Sequence, residues 1–130
     1  MEIESRPVMS VETTVGSEAD AQRLAALMLE LQLAACVQIE AGLVSHYVWQ
    51  GRPCQEPEWR LTIKTLPDRA SALRSLFDDH HPYELPQFLT VVMGASAAYA
   101  AWVGEAVAGS AAGGQASVIA AAAAGPNRPL

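Results

Sequence analysis

The sequence predicts an α+β fold in which helices cover one face of a four-stranded antiparallel sheet. Segments that alternate between apolar and polar residues indicate strands, and segments with apolar spacings of three and four indicate helices. They follow the order strand, helix, strand, strand, helix, strand, helix. Because crossover connections are right-handed, this order gives the ferredoxin-like split βαβ sandwich, here with a long β-hairpin and an extra C-terminal helix.

The first strand and helix have clear patterns. Apolar and polar side chains alternate from Met9 to Val15, which predicts a strand with one buried face, and Gly16 ends it. Ser17 is placed to cap a helix. The predicted apolar stripe of that helix consists of Ala21, Leu24, Leu27, Met28 and Leu31.

The next two strands form the long hairpin. A period of two returns within residues 33–39. The predicted strand reaches Glu40, is interrupted at Ala41-Gly42 and resumes from Val44 to Trp49, with Gly42 indicating a bulge or bend. A turn at residues 50–53 precedes a returning strand over residues 58–65. Long hairpin arms leave unpaired edges, so this pattern favours pairing with another subunit.

Cap residues and apolar spacings also predict the elements in the second half of the domain. Asp68 is the predicted cap of a second helix, whose buried stripe is Leu73, Leu76 and Phe77 with His80 on the same face. Residues 88–93 form the predicted fourth strand, and Ser96 is placed to cap the last helix. The spacings predict that Trp59 in the third strand and Trp102 in the last helix both lie in the core.

Composition limits the function classes. The chain has 130 residues, with eight basic and fourteen acidic side chains, a net charge of −6 and no basic cluster. This charge argues against a nucleic-acid or membrane-surface partner. Residues 1–107 form one predicted domain, and the tail over residues 108–130, rich in Ala and Gly, is predicted to be disordered. No secretory signal or membrane segment is recognisable, so we expect a cytoplasmic protein.

The loop after the second helix concentrates polar chemistry. It reads His80-His81-Pro82-Tyr83-Glu84-Leu85-Pro86. Pro82 disfavours helical geometry at His81, so the helix ends there and the loop that follows is stiff. An imidazole, a phenol and a carboxylate within one stiff loop make it a candidate functional site.

The sequence resembles the CutA divalent-cation tolerance family. Five motifs appear in the family's order over residues 8–107. They are Leu33-Ala34-Ala35-Cys36-Val37, Tyr47-Val48-Trp49-Gln50-Gly51, Thr62-Ile63-Lys64-Thr65, His81-Pro82-Tyr83-Glu84-Leu85-Pro86 and Tyr99-Ala100-Ala101-Trp102. The resemblance implies a homotrimer held through long hairpins, an architecture like that of PII signalling proteins, and an association with copper and other divalent cations.

The resemblance and the residue chemistry together suggest candidate site residues. Cu²⁺ or another divalent cation is the implied ligand, and the candidate metal ligands are His81, Cys36 and Glu84. Trp49, Lys64 and Tyr83 are the candidates for binding a further ligand in a cleft between subunits. The sequence shows no nucleophile and base at a recognisable spacing, so we expect no catalytic residues and no enzyme.

Each candidate also has a structural interpretation. His81 can bind metal or simply end the helix, and Cys36 can bind copper or lie buried. Lys64 can bind an anion or extend to solvent, and Glu84 can bind a cation or pair with Lys64. Two other functions therefore remain open: a trimeric interaction or signalling module without a dedicated metal, and an enzyme acting on a small anionic metabolite.

Overall fold

The computed structural model describes residues 5–109 and contains the predicted four-stranded antiparallel sheet. The strands are β1 (Ser5–Val15), β2 (Cys36–Trp49), β3 (Arg52–Thr65) and β4 (Leu89–Ser96). The helices are α1 (Glu18–Glu30), α2 (Ala70–His80), which follows a 3₁₀ turn at Pro67–Arg69, and α3 (Ala97–Val107). The sheet order is β2-β3-β1-β4, which confirms the predicted α+β fold. The tail prediction concerns residues that, from 110 onward, lie outside the described part.

The strands differ from the prediction mainly at their ends. β1 begins at Ser5 because residues 5–8 pair with residues 93–96 at the end of β4. Ser5 lies opposite Ser96, and Val8 lies opposite Met93. β3 begins at Arg52, directly after the turn, where the cross-strand partner is Trp49. Partner strands therefore supply hydrogen bonds to segments that show no regular alternation, which single-sequence patterns do not reveal.

The hairpin extends beyond the rest of the sheet. β1 pairs with β3 only from Trp59 to Thr65, so residues 43–58 form a two-stranded ribbon that we call the arm. The register shifts between Glu40 and Leu43, where Gly42 has a φ of 85°, which confirms the predicted bulge. Gln50 and Gly51 both have positive φ, as a two-residue hairpin turn of type I′ requires.

The main core lies between the sheet and the helices α1 and α2. Ser17 caps α1 as predicted, since its Oγ accepts a hydrogen bond from the Asp20 N–H at 3.1 Å. The predicted cap at Asp68 is wrong: its side chain makes no capping hydrogen bond and forms an ion pair with Arg69 at 2.8 Å. The chain enters α2 through the 3₁₀ turn instead. The core cluster includes Val11, Leu24, Met28, Leu61, Ile63, Leu73, Leu76 and Phe77.

A smaller core holds α3 against the opposite face of the sheet. Val8 alternates with Met9 along β1 and packs with Ala100 and Val103 of α3. Trp59 packs against the main core as predicted. The prediction for Trp102 is wrong, because this side chain is 46% exposed. The helical spacing correctly identified one apolar face of α3. It did not show how much of that face the rest of the chain would cover.

Candidate functional site

His81 lies at the end of α2 and is buried beneath the sheet's helical face. Its ring packs between Phe77 and Tyr83, with ring centroids 5.2 Å away on each side. Its Nδ1 accepts the Tyr83 backbone N–H at 3.1 Å, and its Nε2 lies 2.9 Å from the Thr13 hydroxyl oxygen. Since a backbone N–H can only donate, Nδ1 carries no proton, and the neutral ring donates through Nε2–H to Thr13.

The burial of His81 changes its acidity. Desolvation of the imidazolium lowers the pKa of His81 from 6.5 to about 4, opposed by a hydrogen bond to the Thr14 backbone. The Arg23 guanidinium nearby lowers the pKa further, and Asp20 partly offsets that effect. His81 is therefore neutral at pH 7, in agreement with the donor and acceptor roles of its two nitrogens.

Tyr83 links this histidine to the arm. Its hydroxyl donates to Glu58 Oε2 at 2.6 Å, and the Ser45 hydroxyl donates to Glu58 Oε1 at 2.6 Å. Glu58 is only 2% exposed, so these short, charge-assisted hydrogen bonds offset part of the cost of burying its carboxylate. We call the five residues Thr13, Ser45, Glu58, His81 and Tyr83 the arm-base network.

Two other candidate residues lie together on the opposite face. Cys36 and Lys64 are cross-strand partners in β2 and β3, and Lys64 alternates with the buried Ile63. Cys36 is half-buried, and the Lys64 ammonium donates to Gln38 Oε1 at 3.1 Å rather than pairing with Glu84. The sheet itself therefore separates this pair from His81.

The remaining candidates are distant or exposed. Glu84 is exposed in the loop after Tyr83. Trp49 is half-buried at the tip of the arm, opposite Arg52. Lys64 lies twelve positions after Arg52 in β3, roughly 40 Å of extended strand. A cleft containing all of the candidate binding residues would therefore require more than one chain.

The geometry around His81 bears on its predicted role as a metal ligand. Both of its ring nitrogens already have hydrogen-bond partners, so ligation requires the loss of one of them. Within residues 5–109, no group of three or more His, Cys, Asp or Glu side chains is arranged to hold a metal ion. The ligand role of His81, Cys36 and Glu84 stays a prediction.

Sequence reasoning missed three members of the arm-base network: Thr13, Ser45 and Glu58. Glu58 lies 13 residues from Ser45 and 25 residues from Tyr83 along the chain. In the alternating pattern of β3, Glu58 occupies the same kind of position as Glu56, and Glu56 stays only half-buried in the arm. The one available signal was the position of Glu58 beside the apolar part of β3, and that signal is not specific.

Comparisons with known proteins agree with the fold. The family described as "CutA1 divalent ion tolerance protein" matches residues 9–106. A similar curated protein is the "Divalent-cation tolerance protein CutA" of Yersinia pestis, 42% identical over 78 residues. That alignment covers 60% of this chain and 66% of the Yersinia protein, slightly under two thirds of its length.

Solved structures show the same architecture. The structure of CutA from Synechococcus elongatus matches with a TM-score of 0.76 and 33% identity, covering 82% of this chain and 96% of that one. The structure described as the periplasmic divalent cation tolerance protein CutA from Archaeoglobus fulgidus matches with a TM-score of 0.74 and 26% identity. It covers 77% of this chain and 98% of the Archaeoglobus chain.

Proposed function

Because the chain belongs to the CutA1 divalent ion tolerance protein family, we propose that it is a homotrimer that binds copper or another divalent cation and serves metal tolerance. The observation that carries this proposal is the family match, which covers nearly all of the described residues. We further propose a cytoplasmic location. Within residues 5–109, no helix is long and apolar enough to span a membrane.

The proposed cation site uses side chains that a metal ion can reach. Cys36 offers a half-buried thiol, and Glu84 offers an exposed carboxylate. A thiolate suits copper and zinc, while a carboxylate adds negative charge without selecting a metal. His81 joins these ligands only if one of its two hydrogen bonds breaks. Within residues 5–109, too few accessible donor side chains cluster to hold a metal ion, so we place the site between subunits, as a low-affinity site.

Calorimetric titration tests the cation site. Cu²⁺ and, separately, Zn²⁺ are titrated into the purified oligomer, since zinc ligation proceeds without thiol oxidation. We expect saturable binding at a whole-number ratio per oligomer. Cys36→Ser should weaken the affinity at least tenfold.

Cys54→Ser provides the matched control, because Cys54 is the other free, half-buried cysteine and lies on the arm. We expect its affinity to equal that of the wild type. If neither metal binds saturably, or if both cysteine variants lose affinity equally, the proposed site is refuted.

The exposed surface of β4 supports the homotrimer. Leu89, Val91 and Met93 alternate along one face of β4, and Val91 is 57% exposed. Contiguous exposed apolar side chains on a strand at the edge of a sheet are typical of an interface. Tyr99 and Trp102, whose ring centroids lie 5.7 Å apart on α3, add exposed aromatic surface.

The sheet topology suits assembly into a closed ring. β2 and β4 form the two edges of the sheet, and the pairings around β1 and β3 make these edge strands antiparallel to each other. The edge strand β4 of one chain can therefore pair antiparallel with the edge strand β2 of a neighbouring chain that has the same orientation. Such heterologous contacts close a ring when the rotation allows it. The number three comes from the family resemblance.

Light scattering or sedimentation tests the assembly. We expect a mass of three chains for the wild type, and a smaller mass for Val91→Lys, because three buried ammonium groups would be desolvated. Leu29→Lys is the control, since Leu29 is 46% exposed on α1. It should keep the wild-type mass. A monomeric wild type would contradict the homotrimer.

The exposed Tyr99 and Trp102 pair favours a second candidate, a trimeric interaction module without a dedicated metal, because aromatic side chains often anchor interfaces. A stable trimer that shows no saturable metal binding would support this candidate over the first.

A further inference from the structure

We propose that residues 81–83 form a strap that fixes the arm, residues 43–58, at its base. The strap comes from the loop between α2 and β4, and it holds the arm through Glu58 and Ser45 of the arm-base network. The inference rests on contacts within one chain and requires no metal. Only the effect of the strap on contacts between subunits rests on the proposed homotrimer.

The arm needs support at its base. Ladder pairing between β3 and β1 ends at Trp59, so β1 does not extend along the arm, whose two strands pair with each other. On the β2 side, the arm meets the rest of the sheet at the bulge between Glu40 and Leu43, where the regular register is interrupted. A bulge bends and twists a strand, so it does not by itself fix the direction of the arm.

Glu58 is the point at which the arm is held. It is buried, whereas residues 43–57 are all exposed or half-buried. One carboxylate oxygen accepts from Ser45 across the hairpin, and the other accepts from Tyr83 of the strap. The carboxylate therefore joins both strands of the arm to a residue outside the hairpin.

The strap itself is stiff and anchored in the body. Pro82 has a restricted φ, and the Tyr83 N–H donates to His81 Nδ1, closing a tight turn around the proline. His81 in turn donates to Thr13 of β1 and packs against Phe77 of the core. A continuous series of hydrogen bonds thus runs from the centre of the sheet to the base of the arm.

Because the strap holds the arm at its base, a small rotation there produces a large displacement of the arm tip. Glu58 lies six positions after Arg52 at the turn, about 20 Å of extended strand. A rotation of about 10° at Glu58 would move the tip by about 3.5 Å on this geometry. In a homotrimer whose hairpins contact neighbours, the strap therefore determines where the tip meets the next subunit.

Hydrogen exchange measured by mass spectrometry tests the strap. Tyr83→Phe keeps the ring but removes the hydroxyl that donates to Glu58. We expect amides of residues 43–58 to exchange about tenfold faster or more, because a hydrogen bond to a charged group is lost at the base of the arm. Amides of β1 and α1 should keep their wild-type rates.

Two further variants keep the test decisive. Ser45→Ala removes the other donor to Glu58 from a half-buried site, and it should also accelerate exchange in the arm alone. Ser75→Ala removes a hydroxyl from an exposed serine of α2, and it should leave arm exchange unchanged. The strap is refuted if Tyr83→Phe and Ser45→Ala leave arm exchange unchanged, or if they accelerate arm and body equally.

This result is independent of the proposed function. A chain that binds no metal, or that does not form trimers, still reports whether exchange in the arm depends on Tyr83. Conversely, loss of the strap effect in a metal-binding trimer would refute the strap alone.

Discussion

Acid should destabilise the protein through His81. The pKa of this residue falls from 6.5 to about 4 on folding because the imidazolium is desolvated. The unfolded chain therefore binds a proton more readily than the native chain, and stability rises with pH through this range. The contribution is fully present above the unfolded pKa of 6.5, falls as the pH drops below that value, and is lost near pH 4.

The magnitude follows from the size of the shift. The fall of the His81 pKa from 6.5 to about 4 corresponds to about 3 kcal/mol per chain over the full range. Between pH 7.5 and pH 5, the same two pKa values give a loss of about 2 kcal/mol. The structural cause is clear, since protonation of Nδ1 would place a second hydrogen against the Tyr83 N–H.

Urea unfolding of the wild type and His81→Gln measures the effect. We expect the variant to be less stable at pH 7.5, because it loses the ring that packs between Phe77 and Tyr83. The stability difference between the two proteins should shrink by about 2 kcal/mol per chain between pH 7.5 and pH 5. His46→Gln, at an exposed histidine of the arm, should follow the wild-type pH profile. If the wild type and His81→Gln lose the same amount of stability between pH 7.5 and pH 5, the assignment of the pH effect to His81 is refuted.

Two further stability predictions concern the turn and the core, both measured by urea unfolding at pH 7.5. Gly51→Ala should cost about 1 kcal/mol, because Gly51 has a φ of +78° and an added Cβ meets nothing within 4 Å, so backbone strain alone acts. Gln50→Gly relieves a positive φ at the neighbouring position, and a loss of stability there would contradict this account. Leu76→Ala should cost about 2–5 kcal/mol, because Leu76 is fully buried in the main core, and a cost near zero would show that the site collapses.

Local patterns predicted much of the fold correctly. The caps at Ser17 and Ser96, the bulge at Gly42 and the apolar stripe of α2 all depend on residues close in sequence. Asp68 failed as a cap because a 3₁₀ turn precedes α2 and satisfies the backbone in another way. Trp102 failed as a core residue because helical spacing cannot show whether a partner surface exists.

At the candidate site too, sequence motifs identified some of the residues, but only the structure showed which of them lie together. The loop motif drew attention to His81 and Tyr83, and both belong to the arm-base network. Cys36 and Lys64 share the opposite face, and Trp49 lies at the arm tip, so the polar motifs that were expected to line one cleft occupy three separate places in one chain. Convergence of this kind depends on strand register and on which face a residue occupies.

The order of the elements, the buried stripes and the family follow from the amino-acid sequence alone, because hydrophobic periodicity, turn chemistry and motifs are local properties. Three features became visible only in the folded chain: the burial of Glu58, the hydrogen bonds at both nitrogens of His81, and the position of α3 across the sheet from α1 and α2. Burial and hydrogen bonding depend on residues far apart in sequence, such as Thr13 and His81, which only sheet pairing and helix packing bring within 2.9 Å.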